Sequence, residues 1–161
     1  MFSIGQTVLY GSNGVCTVED ITVKSVGSVK MEYYVLKPLC SGNSTLFVPT
    51  ANTELVGKMR CVLTPEEANR ILSDLPECGE WLEPKNERSE RFREIISRGD
   101  CAELIWLVRS VHFHGEAQVA DGKRLHVSDE RFMKDAEKMI CDELSLVLGV
   151  DREEVLARVL K

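Results

Sequence analysis

The sequence has no long apolar run. Its apolar residues are broken every few positions by glycine, polar or charged residues, whereas a helix crossing a bilayer needs roughly 20 in succession. No secretory leader pattern follows Met1, because Gly5, Gln6 and Thr7 interrupt the apolar residues at once, and the expected place is the cytoplasm. There is no basic excess either: the net charge is -6, which excludes a generally basic nucleic-acid binder and leaves only a local basic patch possible. Six cysteines, at 16, 40, 61, 78, 101 and 141, include no CxxC pair. That lack excludes the usual zinc and thioredoxin-like spacings, so reduced and mostly buried thiols are expected.

Histidine is scarce, with three in the chain. His112 and His114 are two apart on a predicted helix, so they point about 200° apart and cannot share a metal as an i,i+4 pair could. His126 falls in or near a loop with no Cys–His spacing around it. These histidines read as structural or surface residues. The glycine-rich Gly11-Ser12-Asn13-Gly14 is too short for a phosphate loop and joins two strands. Carboxylates sit at helix starts and on polar faces, where capping and dipole effects account for them. Nothing assembles a nucleophile, a base and an orienting group, so neither an enzyme nor a bound metal or cofactor is expected.

What is present divides into two halves with different patterns. Up to about residue 63, Val8-Leu9-Tyr10, Gly14-Val15-Cys16-Thr17-Val18, Met31–Lys37 and Ser44–Pro49 are rich in β-branched and aromatic residues. They are separated by Gly11–Gly14, Val26-Gly27-Ser28 and Ser41-Gly42-Asn43, which favour turns. The expected fold class is α+β, with residues 1–63 forming a small SH3/Tudor-like antiparallel barrel or strongly bent sheet and residues 64–161 forming an all-α domain.

Helical signals take over at Thr64-Pro65-Glu66-Glu67, a capping box with proline at the first position that starts a helix running to about Leu75. Pro76, Gly79 and Pro84 break the chain. A second helix opens near Asn86 and ends near Gly99, and Asp100 with Glu103 caps a third. Ser128 is the expected cap of a fourth ending at Gly149, Asp151 caps a last short one, and Glu116 to Val127 is the expected long loop.

Charge divides unevenly between the halves. Residues 1–63 carry five Lys/Arg against four Asp/Glu, and residues 64–161 fifteen against twenty-two. Within the acidic half, Lys85, Arg88, Arg91, Arg93 and Arg98 face only Glu87, Glu90 and Glu94, a local excess of +2. That stretch is the best candidate for contacting phosphate; the alternative is a solvated helix face laced with pairs such as Glu87–Arg91. Trp81 stands in an exposed-looking linker just before it, where an indole could stack on bases or wedge between them, or pack on its own domain. Trp106 lies among apolar residues and reads as core.

The opening F-x-I-G-Q-x-V-L-Y-G-x-x-G-V-C-x-V-E-D-I, followed by E-Y-Y-V-L-K-P and T-L-F-V-P-x-x-N, resembles the CarD/CdnL family of bacterial transcription regulators. The resemblance continues through W-L-E-P-K-N-E-R-S-E-R-F-R-E-I-I-S-R-G-D-x-x-E-L-I-x-L-V-R and D-E-R-F-M-K-D-A-E-K-M-I-C-D-E-L-S-L-V-L, and so spans essentially the full chain. It implies a Tudor-like domain that binds the RNA polymerase β subunit, and a helical domain that contacts promoter DNA at the upstream edge of the transcription bubble. It also implies a non-enzymatic factor that tunes open-complex stability, with no cofactor or small-molecule substrate.

By position, the polymerase-facing residues implied are Lys24, Ser25, Val26 and Phe47. The family often has arginine at the Lys24 and Phe47 positions, so the charge is kept at the first and lost at the second. The candidate DNA-contacting residues, chosen from local charge and the rare tryptophan, are Trp81, Lys85, Arg88 and Arg91, with Lys123 and Arg124 of the long loop as a second basic candidate. The wedge tryptophan of actinobacterial members falls at Lys85, four residues after Trp81. A stand-alone SH3/Tudor-like adaptor without DNA contact and a small enzyme using the linker cleft remain as alternatives.

Overall fold

The structure is a computed structural model that describes residues 1–40 and 42–161. Ser41 of the expected Ser41-Gly42-Asn43 turn lies outside the described residues. The chain divides into two compact units, Met1–Val62 and Leu63–Lys161.

In the first unit, five strands form one antiparallel sheet: β1 (Thr7–Tyr10), β2 (Val15–Val26), β3 (Val29–Pro38), β4 (Leu46–Pro49) and β5 (Met59–Cys61), in the order β4-β3-β2-β1-β5. The sheet is strongly bent, with β4 and β5 at its edges and not paired with each other among the described residues. Side chains alternate across the strands. One face therefore collects Val8, Cys16, Val18, Tyr34, Leu36, Val48 and Met59 as the core. Gly11 and Gly14 let β1 reverse into β2 at φ 46° and 74°, a region other residues avoid, and the Tyr10 amide donates to the Gly14 carbonyl at 3.0 Å.

The register of β2 on β3 shifts between Val18, opposite Leu36, and Asp20, opposite Val35. The extra residue, Glu19, is a bulge that bends the strand and strengthens its twist. Past it the two strands continue as a long ribbon to Val26 opposite Val29, closed by Gly27-Ser28 with Gly27 at φ 66°. Two short elements have no counterpart in the expected pattern: β5, and α1 (Thr53–Val56), which Asn52 caps by accepting the Leu55 amide at 3.0 Å.

The second unit has five helices among the described residues: α2 (Pro65–Ser73), α3 (Lys85–Arg98), α4 (Cys101–Ala120), α5 (Val127–Leu148) and α6 (Arg152–Val159). Thr64 and Glu67 form the capping box of α2. The carboxylates of Asp100 and Asp151 accept the Glu103 and Glu154 amides. Gly99 and Gly149 end α3 and α5 in the left-handed conformation. The core between α3, α4 and α5 contains Phe92, Ile95, Leu104, Leu107, Val108, Ile140 and Leu144, each at most 2% exposed.

Two expectations for this unit fail. Helix α4 runs through Glu116 to Ala120, so the long loop shrinks to residues 121–126. Ser128 does not cap α5: the helix begins one residue before it, His126 at the cap position makes no side-chain cap bond, and the Ser128 hydroxyl is buried without a partner.

The six cysteines are thiols, but only Cys16, Cys101 and Cys141 are buried, while Cys78 is half-buried and Cys40 and Cys61 are exposed. Burial pushes the Cys141 thiol up to about 11. Among the described residues no helix is long and apolar enough to cross a membrane, and no group of three or more His, Cys, Asp or Glu could hold a metal ion.

Candidate functional site

On the sheet, the side opposite the core is open to solvent along the β2–β3 ribbon and β4. Val26 and Val29 are 59% and 58% exposed, and Phe47 is 44% exposed. Pairing places Lys24 opposite Met31, and Phe47 opposite Val35. Strand alternation then sets Lys24, Val26, Met31, Tyr33, Val35 and Phe47 on one face and Ser25 on the other.

The Lys24 ammonium sits 3.5 Å from the centre of the Phe47 ring, a cation–π contact. Tyr33 meets Phe47 edge-on at 6.3 Å. The cation at position 24 is thus held over an aromatic ring at position 47, and the apolar ring takes part in the charged patch. Of the four residues expected to face the polymerase, Lys24, Val26 and Phe47 share a face, and Ser25 turns away from it.

In the helical unit, irregular backbone between α2 and α3 is tied down by side-chain donors. The Trp106 indole donates to the Cys78 carbonyl at 3.2 Å, Arg109 Nε to the Pro76 carbonyl at 3.3 Å, and Arg88 Nη1 to the Leu82 and Glu83 carbonyls at 2.8 and 3.0 Å. A segment without secondary structure leaves carbonyls unpaired, and these donors satisfy them. Trp106 is half-buried rather than fully core.

The Arg88 guanidinium is completed by a two-pronged pair with Asp129, Nε to Oδ1 at 2.9 Å and Nη2 to Oδ2 at 2.8 Å. Arg88 is 2% exposed. It is therefore not the surface cation the sequence suggests: its donors are spent inside the domain, joining the start of α3 to the start of α5.

Trp81 is half-buried rather than open to solvent. Its ring lies on the His114 imidazole with 3.7 Å between centres and 2° between planes. The Arg88 guanidinium carbon is 4.8 Å from its centre, and Phe92 meets it edge-on. Burial holds the His114 pKa below the usual histidine value; the charge of Arg88 adds to this, while Glu83 and Asp129 oppose it. A neutral imidazole is the form that stacks here with least penalty.

Trp81, Arg88, Lys123 and Arg124 line one cavity of about 340 Å³, together with His114 and Asp129. Candidates from the linker, α3 and the α4–α5 turn are thus brought together, with Lys123 and Arg124 exposed at its edge. Arg91 lines a neighbouring cavity and lies over the Trp106 ring at 4.9 Å rather than pairing with Glu87. Lys85 lines a third depression with Arg93 and Ser128. Arg98 pairs with Glu103 at 2.9 Å. Sequence reading took His114 for a structural or surface residue, its one local sign being Gln118 one turn on, at 3.0 Å from its ring, and it passed over Asp129, which carries no local sign at all.

Residues 2–62 match the CarD-like/TRCF RID domain. The chain carries a CarD-like RID domain, and its open Lys24–Phe47 face belongs to that domain. The Bacillus subtilis (strain 168) protein named "Putative transcription factor YdeB" is 26% identical over 157 residues, covering 96% of this chain and 97% of that protein. The domain match covers the N-terminal unit, and the likeness to the Bacillus subtilis protein runs end to end. Residues 2–62 thus form a domain of an RNA polymerase-interacting type.

Proposed function

We propose that this chain docks on the RNA polymerase β subunit through the open face of β2, β3 and β4, and applies the Trp81 cleft to promoter DNA at the upstream edge of the bubble. The observation that carries this reading is the Lys24–Phe47 contact on the exposed face of a CarD-like RID domain. An apolar, half-exposed patch of valines and phenylalanine with one held cation suits a protein partner, where aromatic anchors supply most of the binding energy.

Lys123 and Arg124 supply charge for phosphate, and Trp81 is the aromatic group beside them. Lys85 and Arg91 extend the cationic set along α3, while Arg88 acts from inside by fixing the linker that carries Trp81. The net charge of -6 does not oppose this. Tethering to polymerase makes the DNA contact effectively intramolecular, so little intrinsic affinity for DNA is required. A face that fits the unwound junction better than closed duplex shifts the population towards the open complex by that difference in free energy.

The reading is tested by open-complex lifetime on a promoter with and without the purified chain. A longer lifetime that disappears with Lys24→Glu supports it. A lifetime insensitive to the chain, with polymerase binding retained, favours an adaptor that makes no DNA contact.

A further inference from the structure

A cavity of about 180 Å³ lies within the helical unit beside the Trp81 cleft, lined by Trp81, Trp106, Phe92, Phe113, Arg91 and Ser110. Its size is close to that of cavities that accept a single benzene ring, about 150 Å³. The walls are aromatic, and two polar groups on them are uncommitted. Ser110 is only 7% exposed, and its hydroxyl has no hydrogen-bond partner. A buried hydroxyl left unpaired costs free energy, and here it lines the cavity.

Arg91 is the second. Its guanidinium carbon lies 4.9 Å from the centre of the Trp106 ring, and it makes no ion pair among the described residues. The other cation of the wall, Arg88, is already committed to Asp129 and two carbonyls. Glu80 also lines the cavity but is exposed, and no ring holds it in place as Trp106 holds Arg91.

We propose that this cavity is a binding site for a small aromatic carboxylate, its ring between the tryptophan and phenylalanine side chains, the Ser110 hydroxyl bonded at the buried side and Arg91 paired with the carboxylate. A planar ring satisfies the aromatic walls by stacking and edge contacts, and a guanidinium recognises a carboxylate through two parallel hydrogen bonds. The occupant would touch both tryptophans, and so brace the segment that carries Trp81.

The test uses the full chain and three probes of similar size: benzoate, benzyl alcohol and benzylamine, titrated while the two indole N–H signals and the Ser110 amide are followed by NMR. Benzoate should move these signals and bind more tightly than the other two. Arg91→Gln, at an exposed position, should weaken benzoate by about threefold to tenfold and leave benzyl alcohol unchanged. Ser110→Leu, which fills the cavity, should abolish binding while the far-UV circular dichroism stays native.

The proposal would be overturned by no shift with benzoate at millimolar concentration, by benzoate affinity unchanged in Arg91→Gln, or by benzylamine binding more tightly than benzoate. Thymidine monophosphate serves as a further probe. Tighter binding of that nucleotide would assign the cavity to a base of the nucleic acid and overturn the small-acid assignment.

Discussion

The Trp81 indole lies flat on the His114 imidazole, 3.7 Å between ring centres and 2° from parallel. This stack is where the chain should respond to pH. Burial lowers the His114 pKa from its unfolded value near 6.5, with Arg88 adding to the effect, and Glu83 and Asp129 opposing it. Between the two values the unfolded chain binds the extra proton, so stability rises with pH there. The contribution is complete above about 6.5 and is lost as pH falls through the folded value. An NMR titration of the His114 ring should give a midpoint below 6.5, which moves up towards 6.5 in Trp81→Ala. A wild-type midpoint at or above 6.5 contradicts the stacked, desolvated histidine.

Arg88 should matter to stability far more than any other cation of α3. Removing one partner of a buried pair leaves the other charge stranded, at a cost of about 3–5 kcal/mol. Arg88→Met should lose that much in urea denaturation. The double variant Arg88→Met, Asp129→Leu should recover a large part of it, because no lone buried charge remains. A loss below about 1 kcal/mol for Arg88→Met would mean that Arg88 is solvated in solution.

Lys123 and Arg124 are exposed at the edge of the Trp81 cleft, so reversing both charges leaves the core untouched. Under the proposed DNA contact, Lys123→Glu with Arg124→Glu should shorten open-complex lifetime by roughly tenfold, the equivalent of about 1.4 kcal/mol, with polymerase binding unchanged. The effect should shrink as salt rises. An unchanged lifetime removes these residues from the DNA-facing set.

Thiol accessibility checks the fold independently. Cys40 and Cys61 should react first with a thiol reagent at neutral pH and Cys78 more slowly. Cys16, Cys101 and Cys141 should react only on unfolding, since they are buried and the Cys141 thiol stays protonated to about 11. Rapid labelling of Cys141 in the native chain would contradict the packing of α5.

Local signals were legible and distant ones were not. The caps at Thr64, Asp100 and Asp151 and the stops at Gly99 and Gly149 depend on residues within a turn of each other, and all five are where the pattern puts them. The end of α4 was misread because Glu116 and Gln118 interrupt the apolar pattern, yet the backbone simply continues the helix to Ala120. The ribbon beyond Val18 was missed because Glu19 and Asp20 resemble the end of a strand, whereas Glu19 is a bulge inside one.

At the site, Trp81 stood out because tryptophan is rare in this chain. The burial of Arg88 could not be read, because its partner Asp129 is 41 positions away and nothing local separates a buried arginine from its exposed neighbours Arg91 and Arg93. The Trp81–His114 stack is hidden for the same reason.

Binding of the full chain to an isolated RNA polymerase β-subunit lobe, compared with Lys24→Glu and Phe47→Ala, tests the central claim most directly. Wild type should bind. Lys24→Glu should weaken binding by about tenfold or more, through loss of the cation from a patch whose aromatic ring remains, and Phe47→Ala should weaken it comparably because the ring both seats Lys24 and fills the interface. Unchanged affinity in both variants would contradict docking through this face, and no binding by the wild-type chain would contradict the β subunit as its partner.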